Sequence, residues 1–274
     1  MKLPKTKKAN NISRSRFGHQ TLKRYAHHLA DEVFKSEEDP RRYSEQLLTV
    51  CTQARDKDFL IVHNPGGWGH ASIEDCLDWE RGIIDGVTGV LQKMGYTFAF
   101  IQYFRSGFGW REEFADFREQ LRFFSDKSSQ MANWLRFIID HIHGVKVVLI
   151  GVSQGAAFGN AVMQHLGRTC PVYSIELGFP FLYKARRVKT GRILAIDGNG
   201  IDNDKLVQGT FLDALGIFLA APFKWLVYRI RGKPKSFPHC VDTPGHRYEW
   251  GNVKIQRQIR DFLRTNFGRD SREL

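Results

Sequence analysis

Cysteine is scarce in this sequence and widely scattered. Its four residues, Cys51, Cys76, Cys170 and Cys240, form no Cys-x-x-Cys pair. That excludes a zinc ribbon and a disulfide-stapled scaffold, and it fits a reducing compartment. Acidic residues are missing altogether from Met1 to Arg24, a segment that holds eight Lys or Arg. The same segment has no apolar core of signal-peptide length, so a cytoplasmic rather than secreted protein is expected. Even in the most hydrophobic stretch, the uninterrupted apolar run Ala214–Ala221 is eight residues, against the ~20 needed to span a bilayer. No Walker sequence, dinucleotide fingerprint, RNP sequence or zinc-finger spacing occurs, and there is no internal repeat. Nucleic acid is therefore not an expected partner.

What is present is a foldable and strongly basic chain. Hydrophobic residues make up 42% of the 274 residues, enough for one sizeable α/β core. The net charge of +12 favours an anionic partner, and an anionic membrane surface is the candidate. Residues 1–18 read as a basic flexible tail, whose sharper readings are a transit peptide or a surface tether.

Along the chain, residues 19–58 read as a helical segment, with Leu22, Tyr25, Ala26, Leu29 and Val33 at helical spacing and an interruption at Asp39-Pro40. Short continuous apolar runs follow at 59–63, 97–102, 145–150, 171–176 and 192–197, separated by helical patterns at 73–94, 113–142 (with a break near Ser125) and 154–166. A last helix spans 252–267. Continuous apolar strands separated by helices signal strands buried on both faces, hence a mostly parallel central sheet flanked by helices. Right-handed crossovers then bring all strand carboxyl ends to one edge, where ligands bind.

The third apolar run ends in Gly151-Val-Ser-Gln-Gly155, and a helix starts at once. Strand, Gly-x-Ser-x-Gly, helix is the setting of a nucleophile elbow. The glycines remove Cβ atoms from a tight turn, and the helix N-terminus favours developing negative charge beside Ser153. A glycine-rich turn without chemistry has the same local pattern, so a base, an acid and an oxyanion site must come from elsewhere. His63-Asn-Pro-Gly-Gly-Trp68 follows an upstream strand. The backbone N–H of Gln154 and one from Gly66, Gly67 or Trp68 are the candidate oxyanion donors, whereas Pro65 has no N–H. His246, in a Pro-Gly loop before the last helix, is the candidate base, with His239 as competitor. The loop Asp197–Asp204 offers the acid: Asp202 and Asp204 ahead of Asp197, with Glu176 a lower-ranked alternative. His141-Ile-His143 is a weak metal pattern with no evident third ligand.

These features together resemble the α/β-hydrolase family: GVSQG after a buried strand, HNPGGW after an upstream strand, an Asp-rich loop after RILAID, and PGH before the last helix. The order Ser, Asp, His is that family's. The resemblance covers residues 59–267 and implies hydrolysis through an acyl-enzyme, with no cofactor. The family's first two strands would fall upstream of Phe59, where the pattern is helical. A reduced sheet with N-terminal helices over its edge is therefore expected, as a catalytic domain over 59–270.

Residues 208–236 read as an apolar insertion in that domain. Its core, Phe211–Arg231, carries Phe, Trp and Tyr beside Arg229, Arg231, Lys233 and Lys235. It is expected to be a lid or buried helix over the catalytic edge, or an interfacial element at a membrane. The resulting expectation is a serine esterase or lipase-like hydrolase that cleaves small-molecule carboxylic esters of hydrophobic acyl groups through a Ser-His-Asp triad. The rivals are a thioesterase or amidase on the same machinery, and a catalytically silent hydrolase fold that binds a membrane surface.

Overall fold

The computed structural model describes residues 19–33, 40–67, 69, 71–105, 118–120, 122–167, 169–198, 207, 227, 230, 231 and 245–268. The expected tail at 1–18 lies outside these residues, as does the insertion at 208–236 except for Val227, Ile230 and Arg231.

Two helices open the described chain, α1 (His19–Val33) and α2 (Pro40–Ala54). Pro40 is the first residue of α2, where a fixed φ and a missing N–H cost nothing. The sheet then forms from β1 (Phe59–Asn64), β2 (Phe98–Gln102), β3 (Lys146–Val152), β4 (Val172–Leu177) and β5 (Ile193–Ile196). Between them lie α3 (Asp78–Lys93), α4 (Ser125–His141) and α5 (Gln154–Leu166), and α6 (Val253–Phe267) follows. All pairings are parallel and the strand order is β2-β1-β3-β4-β5. The sheet is thus parallel and helix-flanked, as the apolar runs predict, and α1 and α2 take the place of strands before Phe59.

The strands are two-faced, and alternate residues feed two cores. Leu60, Val62, Val147 and Leu149 point to one side, where residues of α1, α2, α4 and α5 pack. Phe59, Ile61, Val148, Ile150 and Val152 point to the other, against α3 and α6. Each such fully buried aliphatic side chain contributes about 1.5–3 kcal/mol. Because both faces are apolar, no polar alternation survives in the sequence, and the strands read as continuous runs.

One boundary differs from expectation. The helix expected from residue 73 begins at Asp78, because Asp75 and Cys76 donate their N–H groups to Ser72 O at 3.0 Å and close a turn first. The expected break near Ser125 is present: before α4, Phe123 and Phe124 adopt φ of 58° and 56°, which interrupts the helical path. The Phe124 ring is fully buried, edge-on to Phe158 at 5.5 Å. Packing of that ring accompanies the uncommon left-handed backbone.

Among the described residues no helix is long and apolar enough to cross a membrane. One close approach ties α3 to the segment before α6: a Cβ on Gly86 would overlap the Trp250 indole. Gly86→Ala removes a helix-interior glycine, a gain of about 1 kcal/mol, but overpacks that contact at about 1–3 kcal/mol. The expected outcome is net destabilisation with a changed tryptophan emission, measured by thermal melting and fluorescence; a variant more stable than wild type contradicts the contact.

Candidate active site

The strand carboxyl ends meet at the end of β3, the middle strand of the five. Asn64 is in register with Gly151, and Val152 with Leu177. Ser153 continues the ladder by one bond, donating its N–H to Leu177 O at 2.8 Å. It then turns sharply, and its carbonyl accepts from Ala156 N (2.9 Å) and Ala157 N (3.1 Å) as α5 begins. Ser153 has φ 53° and ψ −118°. This is a sparsely populated region for a residue with a side chain and costs about 1–3 kcal/mol unless its surroundings enforce it.

The surroundings do enforce it. A Cβ on Gly151 would overlap the carbonyl of Gly155 and lie 2.7 Å from Ala156 N. A Cβ on Gly155 would overlap Asn64 O and lie 2.8 Å from Pro65 O. Both glycines are therefore required by backbone contacts that cannot yield. A Cβ position at Gly66 lies 3.2 Å from Val152 O and 3.9 Å from the Ser153 Cβ. The turn bearing Ser153 and the loop after β1 are thus pressed together, and Gly66 is the loop residue beside the serine. Gly67 is left-handed, at φ 55°. Trp68 lies outside the described residues.

Gln154 opens α5, where the first N–H groups of a helix have no partner within it. Its side chain is buried, and Oε1 has no hydrogen-bond partner among the described residues.

His246 is 6% exposed. Its ring lies against the backbone of Gly178, the residue after β4: a Cβ there would be 2.5 Å from His246 Cε1 and 3.0 Å from Nδ1. Gly178 has φ 64° and donates its N–H to Ile196 O at 2.9 Å. Edge-on rings of Trp79 (centroids 6.4 Å) and Tyr248 (5.7 Å) flank the imidazole. His246 is therefore held at the carboxyl end of β4, next to the strand from which Ser153 projects. Its competitor His239 lies outside the described residues, as do Asp202 and Asp204.

The other two candidate carboxylates are bonded by Arg187, with Asp197 Oδ1 left without a hydrogen-bond partner among the described residues. Arg187 donates through Nε to Glu176 Oε2 (2.8 Å) and through Nη1 to Asp197 Oδ2 (2.5 Å), while Asn160 on α5 donates to Glu176 Oε1 (2.8 Å). Burial pushes the Glu176 carboxyl up to about 7, against the opposing pull of Arg187. This cluster sits on the α5 face, whereas the Trp79 and Tyr248 rings that flank His246 belong to the other core. Glu176, the lower-ranked acid, is thus part of a structural ion cluster.

His63, Cys76 and Glu80 are buried with ligating atoms within 4.8 Å of one another, which raises the question of a metal. The hydrogen bonds answer it. Ile73 N donates to Gln102 Oε1 (2.9 Å), so the Gln102 amide turns its NH₂ to His63 Nδ1 (3.2 Å). Nδ1 must accept, which leaves the ring proton on Nε2, 3.7 Å from Glu80 Oε2 and without a hydrogen-bond partner among the described residues. The ring offers this cluster an N–H rather than a lone pair, so the donor set does not fit a metal. Burial, with the nearby Arg105 charge, holds His63 down to about 4, and burial with Glu80 pushes the Cys76 thiol up. Among the described residues His141 and His143 belong to no cluster of three ligating side chains; His141 bonds Phe137 O through Nδ1 at 2.7 Å, and His143 is exposed.

One residue had no signal in the sequence. Arg105, 4% exposed, donates through Nη1 to Pro65 O and through Nη2 to Gly67 O, both at 2.6 Å. Its backbone N–H donates to Gly69 O at 2.9 Å. The guanidinium carbon lies 5.4 Å from the Phe124 ring centre and 5.5 Å from that of Phe158. An arginine after an edge strand looks like a surface charge; only the fold brings it under the glycine loop.

A parallel helix-flanked sheet, with a strained serine between its central strand and the next helix, decides the architecture. The fold is α/β-hydrolase-like. No protein-family model matches the chain, and no curated protein matches it. Among solved structures the chain is similar to a Trichoderma reesei cutinase in complex with a C11Y4 phosphonate inhibitor, at 13% identity and a TM-score of 0.45, covering 89% of this chain and 91% of that one. The architecture rests on the sheet and the turn, not on that likeness.

Three substitutions test the turn. Ser153→Gly relieves the strain and is expected to raise the melting temperature, by about 2–4 °C per kcal/mol relieved, whereas Ser153→Ala leaves it unchanged. Gly155→Ala is expected to cost about 3 kcal/mol. Equal melting temperatures for the Gly and Ala variants at 153 contradict a strained serine.

Proposed function

We propose that this chain is a serine hydrolase that cleaves carboxylic esters of hydrophobic acyl substrates through an acyl-enzyme. The observation that carries the reading is the backbone of Ser153, φ 53° and ψ −118°, kept between two glycines that contacts forbid to carry side chains. Strain of this kind persists where chemistry uses it, and the strand–serine–helix turn exposes a serine for attack.

In the proposed reaction Ser153 Oγ attacks the ester carbon while His246 takes its proton. The tetrahedral oxyanion is met by the N–H of Gln154 and by an N–H of the loop, from Gly66, Gly67 or Trp68. Collapse expels the alcohol, which receives the proton from His246. Water, deprotonated by His246, then releases the acid and restores Ser153. Asp202 or Asp204 orients the imidazole and balances its cation; chain order supports both, and Glu176 and Asp197 are taken up by Arg187.

A specific observation favours contact with a lipid surface. Val227 is 42% and Ile230 76% exposed, and Arg231 N bonds Val227 O at 3.0 Å as in a helical turn. Exposed Val227 and Ile230 beside Arg231 suit an interfacial element. The substrate is then an ester presented at, or partitioned into, an apolar environment.

A fluorophosphonate probe tests the proposal. Wild type is expected to label once, Ser153→Ala not at all, and His246→Ala about 10²–10⁴-fold more slowly. Of Asp202→Asn and Asp204→Asn, one is expected to lose about 10⁴-fold in ester turnover. Folded wild type that resists the probe removes the hydrolase reading and leaves a silent binding fold. Faster turnover of a matched thioester or amide than of the oxygen ester shifts the leaving group.

A further inference from the structure

We propose that Arg105 is a positioning residue for the acyl transfer at Ser153: its guanidinium locks the glycine loop in the orientation that can receive an oxyanion. The proposal rests on the hydrolase reading above. The loop carbonyls of Pro65 and Gly67 both turn to the guanidinium, at 2.6 Å each, and that of Gly69 to the Arg105 backbone N–H at 2.9 Å. No peptide bond is cis among the described residues. In a trans peptide the N–H points opposite to the carbonyl, so fixing the Pro65 carbonyl directs the Gly66 N–H away from Arg105. Gly66 is also the loop residue whose Cβ position is 3.9 Å from the Ser153 Cβ.

Glycine-rich backbone can flip its peptide units easily. A flip at 65–66 would present a carbonyl oxygen to a forming oxyanion, which repels it. The charge-assisted bond to Pro65 O opposes that flip, the second bond of the fork fixes the Gly67 carbonyl, and the planar guanidinium is kept in place by the Phe124 and Phe158 rings at 5.4 and 5.5 Å. Gly69 belongs to the same device, since a Cβ there would sit 2.6 Å from the guanidinium carbon. The cation also polarises the peptide it binds, which makes the opposite N–H a stronger donor. Such preorganised donors act on the transition state and not on ground-state binding. A lysine keeps the charge but has no fork, so it cannot hold two carbonyls in one plane.

The test compares wild type, Arg105→Lys and Arg105→Ala on a soluble ester and on the fluorophosphonate, with melting curves alongside. Arg105→Lys is expected to lower kcat by about 10²-fold with KM nearly unchanged and the protein folded at the assay temperature. Methylguanidinium, but not methylammonium, is expected to restore activity to Arg105→Ala; if that variant does not fold, Arg105→Gln takes its place. Labelled wild type with an unimpaired Arg105→Lys, a loss confined to KM, or equal rescue by both amines overturns this proposal alone. Wild type that resists the probe overturns the hydrolase reading and this proposal with it.

Discussion

The site depends on one close backbone approach. Where β3 turns into α5, Gly151 and Gly155 are stacked so tightly on each other and on the Asn64 and Pro65 carbonyls that neither tolerates a Cβ. That crowding leaves the intervening Ser153 at φ 53°, ψ −118°. Strain of about 1–3 kcal/mol is a sizeable fraction of the 5–15 kcal/mol that hold a domain together. It is sustained because β1, β3 and β4 lie in register on all sides of the turn. Register, turn and serine are one mechanical unit.

Around that unit the molecule is asymmetric. The α5 face carries the ion cluster of Glu176, Arg187 and Asp197 and the buried guanidinium of Arg105. The α3 face carries the polar chain Ile73–Gln102–His63–Glu80 and the aromatic walls of His246. Glu176, Arg187 and Arg105 are met by partners of fixed geometry, which confers rigidity more than stability. The proposed nucleophile Ser153, at the end of β3, and the proposed base His246, packed against Gly178 at the end of β4, need that rigidity, since a displacement of about 1 Å can cost 10²-fold in rate.

Much of this was legible in the sequence for an identifiable reason. The strands are buried on both faces, so Phe59–His63 and Val145–Ile150 read as continuous apolar runs. The helix from Gln154 to Leu166 follows a Gly-x-Ser-x-Gly and matches its expected bounds. Local pattern failed where backbone turns without a sequence marker, or contacts distant in sequence, decide. The turn at Ser72–Cys76 is closed by backbone bonds and carries no helix-breaking residue, so the start of α3 was read too early. Arg105 reaches across 40 positions to Pro65, and no spacing rule links the two. Glu176 lay at a strand end as an acid candidate should, and only the bond to Arg187 distinguishes its role. Asp202, Asp204 and Trp68 lie outside the described residues, so their readings rest on chain order.

The central claim is that Ser153 is held in its strained turn in order to form a covalent acyl intermediate. The most direct measurement is rapid mixing with a chromogenic ester, followed by intact-mass and peptide mapping of acid-quenched protein. The account predicts a burst of one alcohol per folded chain and an acyl group on the peptide that contains Ser153. Alcohol release without a burst or adduct, or an adduct on a different residue, would contradict it.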